Sequence, residues 1–493
     1  MYLKKPTLIK NQFISVFIGT CGIIIAFSFV FPIPAFSFYI ASYIHEKQKF
    51  VTMYYGLFFH LIFSLSMSLG QSLGGFLELI FGFYLTNLFG PLLILIADIF
   101  FLNAQNIWLC YVLIFFIATG GGISNSLIGK NIAFFKPGRK GLLISIMTAI
   151  IHIFSGGLSI AGEKLINPDG YTLNKTEEYY DYKYSSKTYI YFTIGFFSIP
   201  IGVIIFILFI IEYKKNNKSN SLEEKKEEIE SNEEIEESEN RDIKDIKDIK
   251  EEENELIISK EAEEMKKKHK IKKAVKSIRY WRFSFAQFLI AFSYSYILGT
   301  SRTFGALIGI EGNALQYLMM CQSGATVVIS PLLGFFVDKK GPLFFLRISS
   351  LILIIPGILL TLFIDNTYIF ITSFVISVLG FITGLVCVSP FVMDIYGIQE
   401  SAILGGIMNL FIQFSSSIST VVAFVISLFY NKEEIILPYK IIYSVGSGCC
   451  LVGFILLMFE KKDKFNYEDE NKENLGNLVE NGRFTIASEH CEN

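Results

Sequence analysis

The sequence predicts an all-α membrane protein with twelve transmembrane helices in two six-helix bundles. Three observations predict this fold: composition, the length of the apolar runs and the position of the charges. The chain of 493 residues is 52% hydrophobic and 18% charged, which is far more apolar than a typical soluble domain. Its charges are concentrated in 213–279 and after 460. Most of the remainder forms apolar runs of about 20 residues, the length with which a helix crosses a bilayer core of about 30 Å.

Twelve such runs are present, six before the charged segment and six after it. The first is longer than the apolar part of a signal peptide and contains Pro32 and Pro34 without a clear cleavage site, so we expect a retained helix. Helices 1 to 6 are predicted at 13–40, 54–80, 84–102, 107–129, 141–162 and 188–212, and helices 7 to 12 at 281–308, 315–337, 341–364, 367–393, 402–429 and 438–459.

These runs divide the chain into an N-terminal bundle (1–212), a charged linker (213–279), a C-terminal bundle (280–460) and a tail (461–493). The linker is acidic at its centre, contains DIKDIKDIK and ends in the basic EMKKKHKIKKAVKSIR. High charge and few aromatic residues favour a largely disordered tether over a regulatory module, and we expect the tail to be disordered as well. The basic end can attract anionic lipid head groups of the bilayer.

Lysine and arginine in the loops predict the orientation. They precede helix 1 (Lys4, Lys5, Lys10) and occupy the loops between helices 4 and 5 and between helices 8 and 9. All three groups fall on one side, which the positive-inside rule makes cytosolic, as are both termini. The membrane stays open between plasma membrane and organelle. Asn174-Lys175-Thr176, on the other side, is a possible glycosylation site if it faces a secretory lumen.

Two landmarks recur in the two halves. Asn87-Leu88-Phe89-Gly90-Pro91 is assigned to the turn between helices 2 and 3, and Asp338-Lys339-Lys340-Gly341-Pro342 to the turn between helices 8 and 9. About fifty residues later come FFKPGRKG at 134–141 and DIYGIQES at 394–401. Recurrence in order and at similar separation predicts duplicated six-helix halves.

These residues carry a resemblance. GFFVDKKG at 334–341 resembles the helix 8–9 signature of the major facilitator superfamily. FFKPGRKGLL, DIYGIQESAILGG, YWRFSFAQFLIAFSYSYILGTSRTFG and LINPDG resemble the oxalate/formate antiporter and monocarboxylate transporter branch in its protist form. The resemblance covers most of 60–430. It implies the major facilitator fold and a secondary transporter of a small organic acid, such as pyruvate or lactate, working by symport or antiport.

The 8–9 turn suits a gate that opens and closes in every transport cycle. An acid and lysines at the bundle interface can form charge-assisted bonds in one state and release them in the other. Topogenic charges that only orient the helices are the alternative. Asn87 replaces the acid in the first copy, so we expect an asymmetric gate. The predicted gating residues are Gly334, Asp338, Lys339, Lys340, Gly341, Pro342, Asn87, Gly90, Lys136, Arg139, Lys140 and Asp394.

Polar residues at steps of three and four on helices 2, 5, 8 and 11 predict a substrate path. Such side chains are costly in hydrocarbon and should face a cavity or another helix. The alternative is that serine and threonine hydroxyls bond back to their own helix or permit close packing. The candidates for substrate binding or proton coupling are His60, Gln71, Glu78, His152, Arg302, Thr326, Ser330 and Gln413.

Four of these candidates have a specific role to weigh. His152 can bind a carboxylate or carry a proton, or can be a structural histidine. Arg302 can pair with an organic anion or snorkel to the interface. Glu78 is a proton-coupling candidate, with Lys130 as a possible structural partner. Ser330 occupies the position at which carboxylate-transporting relatives place an arginine, so the anion would need Arg302, His152 or hydroxyl groups. Asp98 is expected near the outer surface.

The remaining expectations concern other functions and partners. The HExxH motif is absent, and an enzyme is not expected. The seven cysteines have no metal-ligand spacing, so neither disulfides nor metal is predicted. We expect no cofactor and no nucleic acid; the partners are a small-molecule substrate, protons and the lipid bilayer, and the protein is expected to be a monomer. A carrier of amino acids or other neutral metabolites, and a nutrient sensor or channel, stay open as alternatives.

Overall fold

The structure is a computed structural model that describes residues 6–51, 55–135, 137–169, 180, 182–232, 267–308, 310, 312–429, 436–461, 463 and 465. Within these ranges the chain forms helices and turns without a strand. Asn174, Lys136 and the linker residues 233–266 lie outside the described residues.

The described helices confirm the twelve-helix fold. Nine helical regions among them are long and apolar enough to span a membrane, with Phe58–Phe101 counted once although it holds two helices. Helix 1 is Pro6–Ser28 continued by Ser37–Lys47; Tyr55–Phe101 divides at Gly82 into helix 2 (55–81) and helix 3 (83–101); helices 4 to 6 are Ile107–Phe135, Lys140–Ile166 and Thr188–Asn232; helices 7 and 8 are Ile278–Leu307 and Gly312–Lys340; helix 9 is Pro342–Ile352 continued by Ile354–Leu362; helices 10 to 12 are Thr367–Tyr396, Ser401–Phe429 and Ile436–Met458.

Large apolar side chains cover the outer surface. Ile80, Phe197 and Val328 have exposed fractions of 72%, 62% and 64%. A contiguous apolar surface of this kind is typical of contact with lipid rather than with water.

Two separate cores hold the bundles together. The first is built by helices 1 to 6 and includes the stacked rings of Phe101 and Phe192, whose centroids are 4.0 Å apart. The second is built chiefly by helices 7 to 12 and includes Phe283 and Phe391, also 4.0 Å apart. Helices with buried aromatic residues therefore pack within each half, and the contacts between halves form a distinct interface.

Three glycines with positive φ mark turns at one end of the bundles. Gly82 follows helix 2 with φ 74°, Gly341 follows helix 8 with φ 86°, and Gly397 follows helix 10 with φ 104°. A residue with a Cβ rarely adopts this conformation, which explains glycine at each turn. We call this end the linker side, because the linker also leaves helix 6 and enters helix 7 there; the other end is the opposite side.

The predicted turn at Asn87–Pro91 is wrong, because these residues lie inside helix 3. The Asn87 side chain donates to the Phe83 carbonyl over 2.8 Å, and a Cβ on Gly90 would lie 2.7 Å from the Gly120 carbonyl of helix 4. Pro91 lies in the interior of helix 3, eight residues after its start at residue 83, where a proline lacks the N–H that would bond the carbonyl four residues earlier. Gly90 therefore permits close packing of helices 3 and 4, and Asn87 bonds back to its own helix.

Helix extends into both ends of the linker, which the sequence predicted to be largely disordered. Helix 6 continues past 212 to Asn232, and a short helix at 267–276 precedes helix 7. Ile271 and Ala274 of the short helix are buried against the second core. The entry of the linker into the second bundle is therefore part of the folded structure.

Candidate functional site

Asp338, near the end of helix 8, connects the two bundles on the linker side. Its Oδ1 accepts the backbone N–H of Gly141 over 2.7 Å, and its Oδ2 accepts that of Leu142 over 2.9 Å. Both donors belong to the first turn of helix 5, whose own N-cap residue, Arg139, makes no side-chain cap. A carboxylate at a helix N-terminus satisfies free N–H groups and complements the positive end of the helix dipole. Asp338 thus caps a helix of the opposite bundle.

Lys140 forms a second link between the same ends. Its ammonium group pairs with the carboxylate of Asp394 at the end of helix 10, and both residues line a cavity of about 220 Å³ together with Asp338. Beside this ion pair, Ile144 of helix 5 packs against Met393 and Ile398. An apolar contact between the bundles therefore lies next to the charged one.

Glycine allows helices 5 and 8 to cross closely at this point. A Cβ on Gly334 would lie 2.5 Å from the Gly141 carbonyl, and one on Gly141 would lie 2.9 Å from the Gly334 carbonyl. Neither distance is compatible with a side chain. The signature glycine Gly334 thus brings Asp338 within reach of helix 5.

Helices 2 and 11 make the matching crossing between the bundles. A Cβ on Gly75 would lie 2.8 Å from the backbone nitrogen of Ile403, and one on Gly406 would lie 2.7 Å from the Gln71 carbonyl. We define the linker-side gate as the contacts of these two crossings together with the Lys140–Asp394 pair. In this structure the two bundles are in contact at all of these points.

The first copy of the signature lies at Gly75–Gly82 rather than at Asn87–Pro91. Gly75, Leu79 and Gly82 follow each other at the same steps, four and three, as Gly334, Asp338 and Gly341. Gly82 and Gly341 both have positive φ, and Gly75 and Gly334 both stand at inter-bundle crossings. Leu79, in the place of the acid, packs against the core of the second bundle. The two copies therefore differ at this position: the second copy holds the acid Asp338, and the first copy holds the apolar Leu79.

The other predicted gating residues lie around these contacts. Lys339 is exposed and its Nζ lies 4.2 Å from the centre of the Phe335 ring, and Lys340 is exposed. Exposed Arg139 precedes helix 5, and buried Pro342 is the first residue of helix 9, where proline is favoured.

Several hydroxyls of the predicted substrate path bond back to their own helices. Thr326 donates to the Gln322 carbonyl over 2.8 Å, Ser68 to that of Ser64, and Thr148 to that of Ile144. The alternative reading of the polar stripes therefore applies to these positions, and Thr326 is not available as a hydrogen-bond donor to a substrate.

His152 lies at the interface between the bundles. Its ring meets that of Phe381 on helix 10 edge to face, with centroids 6.4 Å apart, and Phe381 meets Tyr294 on helix 7 at 5.9 Å. We call these three residues the central aromatic group. The sequence singled out His152 by its place on helix 5 but missed Phe381 and Tyr294, because aromatic residues are common throughout the chain.

Three buried polar groups on other helices have atoms without a hydrogen-bond partner among the described residues. They are Oε1 of Gln71 on helix 2, Oγ of Ser330 on helix 8 and Nε2 of Gln287 on helix 7. Gln71 is placed between helices 4 and 11, since it lies against both Gly122 and Gly406. Buried polar groups are normally paired, so these atoms are candidates for contact with a bound solute.

The remaining candidates are spread along the helices. Half-buried His60 lies near the opposite-side end of helix 2, half-buried Glu78 lies one turn from Gly82 on the linker side, and Gln413 is half-buried on helix 11. The Arg302 side chain lies outside the described residues. The structure does not bring His60, Glu78 and His152 together. In the described part of the chain, no three His, Cys, Asp or Glu side chains are placed to hold a metal ion.

Twelve helices in two bundles that meet at these crossings form a multi-pass membrane protein. The family model described as Major Facilitator Superfamily matches residues 16–420, and the chain belongs to that family. It is therefore an integral membrane transporter.

Solved structures show the same fold at low sequence identity. The proton:xylose symporter XylE matches with a TM-score of 0.61 and 12% identity over 92% of this chain and 95% of that one. FucP in the outward conformation matches with 0.60, 11% identity, and 92% and 100% coverage. The human organic anion transporter MFSD10 (TETRAN) matches with 0.56, 12% identity, and 92% and 100% coverage. A search of the curated proteins finds no match.

Proposed function

We propose that the protein is a secondary active transporter that works by alternating access, with the linker side cytosolic and its gate closed in the present state. The observation that carries this proposal is the capping of helix 5 by Asp338 of the opposite bundle. A permanent core contact would not place a charge between two bundles that each have their own core. A contact that must break and re-form in each transport cycle would place a charge there.

Opening the gate has a definite cost in this geometry. The carboxylate of Asp338 must leave two N–H groups, and Lys140 must leave Asp394, while water replaces both sets of partners. Hydrogen bonds to a charged group contribute about 1.5–3 kcal/mol each after exchange with water is counted. A net bias of about 1–3 kcal/mol is enough to favour one state without locking it.

We propose a small organic acid, such as pyruvate or lactate, as the substrate, coupled to protons. The support is the motif resemblance of the sequence together with His152 at the bundle interface, in edge contact with Phe381. A protonated imidazole would pair with a carboxylate, and hydroxyls and Arg302 would complete the site.

A neutral, hydroxyl-rich metabolite is the second candidate. The observation that favours it is that three of the unpartnered buried groups, Gln71, Gln287 and Ser330, are uncharged amides and a hydroxyl. The serine stands where the resemblance implies an arginine for carboxylates. Amide and hydroxyl groups pair with neutral hydroxyls without the cost of a buried charge. XylE is a xylose symporter and FucP a fucose symporter, but at this identity the likeness extends to the fold alone.

Counterflow in proteoliposomes tests the function and separates the substrates. Vesicles loaded with unlabelled lactate, pyruvate, xylose or fucose should take up the labelled form of the transported solute. His152→Gln should lower lactate exchange strongly, whereas Ser68→Ala, which removes a hydroxyl already bonded to its own helix, should not. Exchange of sugars alone would overturn the organic acid, and binding without exchange would indicate a sensor.

A further inference from the structure

Asp98 is a carboxyl group that the gate and the central aromatic group do not use. It lies one turn before the end of helix 3 on the opposite side and has an exposed fraction of 0%. Both of its carboxylate oxygens lack a hydrogen-bond partner among the described residues. The sequence placed it near the outer surface, and the structure places it near that end of the bundle but inside it.

The side chain lies beside a break in helix 1. The first part of that helix ends at Ser28, and helical structure resumes with the short 3₁₀ helix Ile33–Phe36. Tyr191 of helix 6 donates its hydroxyl to the Phe29 carbonyl at the break over 2.6 Å. The Asp98 carboxyl is within electrostatic range of that same hydroxyl. Tyr191 thus links the acid to a backbone group that the break leaves free.

The second part of helix 1 connects this region to helix 5. Tyr39 donates its hydroxyl to Oε1 of Glu163 over 2.7 Å. Helix 5 carries both His152 and the residues that Asp338 caps. A change at the break of helix 1 therefore has a direct structural route to the gate.

The surroundings of Asp98 suit a proton. Among the described residues, no hydrogen-bond donor reaches its carboxyl, and the titratable group that interacts with it is the Tyr191 hydroxyl. An ionised carboxylate without donors is costly in such an interior, whereas the neutral acid is tolerated. Sodium would require several oxygen ligands, and the one neighbouring hydroxyl is already engaged with Phe29.

Two further unpartnered polar groups lie near the opposite-side end of helix 6. The hydroxyls of Ser185, just before this helix, and of Thr188, its first residue, are buried and have no partner among the described residues. Thr188 precedes Tyr191 by three residues and so lies one turn above it on the same face. These hydroxyls provide polar steps from the opposite side toward the acid.

We propose that Asp98 is the proton site of the carrier, loaded from the opposite side and coupled to helix 1 through Tyr191. On binding, one proton joins a carboxylate oxygen and neutralises the group; on release, the same proton leaves for water and the charge returns. The inference rests on the proposed transport function.

Proton-driven accumulation is the decisive measurement. Asp98→Asn resembles the protonated acid at all pH values and should abolish accumulation driven by a pH gradient. Its effect on counterflow without a gradient should be about tenfold smaller. Tyr191→Phe keeps the ring stack on Phe29. It should also reduce proton-driven accumulation more than it reduces counterflow. Asp365→Asn, the same change at an exposed site on the opposite side, is the matched control and should leave both readouts unchanged. Accumulation by Asp98→Asn at the wild-type level, or accumulation driven by sodium, would overturn the proposal.

A spectroscopic measurement that does not depend on transport tests the proton site separately from the transport function. Infrared difference spectra of wild-type protein between low and high pH should contain a carboxyl band that Asp98→Asn lacks and Asp365→Asn retains. Loss of the band without loss of fold, checked by thermal unfolding, supports the proton site even if no tested solute exchanges. An unchanged band in Asp98→Asn contradicts it even if transport is found.

Discussion

Oδ1 of Asp338 lies 2.7 Å from the backbone nitrogen of Gly141, so an acid of the second bundle caps the first turn of a helix in the first bundle. This relationship turns a charged residue near the end of helix 8 into a contact between halves. It exists only while the bundles are closed on the linker side. Its consequences can be measured by changing the acid, the ion pair beside it or the glycines that permit both crossings.

Asp338→Asn should slow transport more than it weakens substrate binding. The amide keeps one acceptor oxygen but loses the charge and the second acceptor, so the closed state loses about 1–3 kcal/mol and re-forms less readily. We expect exchange to fall about tenfold, with affinity in a thermal-shift titration nearly unchanged. Asp365→Asn is the matched control. An unchanged exchange rate would remove Asp338 from the gate.

The Lys140–Asp394 pair should behave as a coupled unit. Lys140→Asp and Asp394→Lys each place like charges together and should destabilise the closed gate. The double exchange should restore part of the loss, with a coupling of about 0.5–1 kcal/mol because Asp394 is partly exposed. Labelling of a cysteine introduced at Gly138, in the gate cavity, measures closure. Additive effects in the double variant would mean that the pair does not contribute.

Gly406→Val should prevent closure without unfolding the second bundle. Its Cβ would lie 2.7 Å from the Gln71 carbonyl of the other bundle, a clash that separating the bundles relieves. Transport should be nearly abolished, and the linker-side cysteine should label faster.

Gly202→Val provides the contrast for that experiment. Its Cβ would lie 2.7 Å from the Ala26 nitrogen inside the first bundle, where separation of the halves gives no relief. The melting temperature should therefore fall much further than for Gly406→Val. Equal losses in the two variants would show that the helix 2–11 crossing is a core contact.

Glu460→Gln should destabilise the second bundle. The Glu460 side chain is 1% exposed and pairs with Arg279 over 3.2 Å and with Arg282 over 2.8 Å. Its loss leaves two arginines without an anion, which should cost about 2 kcal/mol after allowance for their partial exposure. Thermal unfolding measures the loss. Asp463→Asn, which keeps the carbonyl that Arg279 contacts, should unfold like the wild type.

The helices and the second copy of the signature could be predicted because both depend on short-range sequence. Apolar length is read directly from neighbouring residues. The spacing of Gly334, Asp338 and Gly341 is likewise local. The first copy was misplaced because a Gly-Pro pair usually marks a turn, whereas a membrane helix tolerates the pair in its interior when a neighbouring helix packs against it. Gly82 has no proline or charge beside it, so its role became visible only from its φ angle.

By itself, the sequence determined that this is a twelve-helix membrane protein with a charged turn after helix 8. These properties follow from hydrophobicity and spacing along the chain. Tertiary structure decided the partner of Asp338, the place of Leu79 in the first copy of the signature and the burial of Asp98. Each of these depends on which residues distant in sequence meet when two bundles close, and Asp338 and Gly141 are nearly two hundred positions apart. Local periodicity carries no information about such a meeting, because it reports the face of a helix and not the helix that covers it.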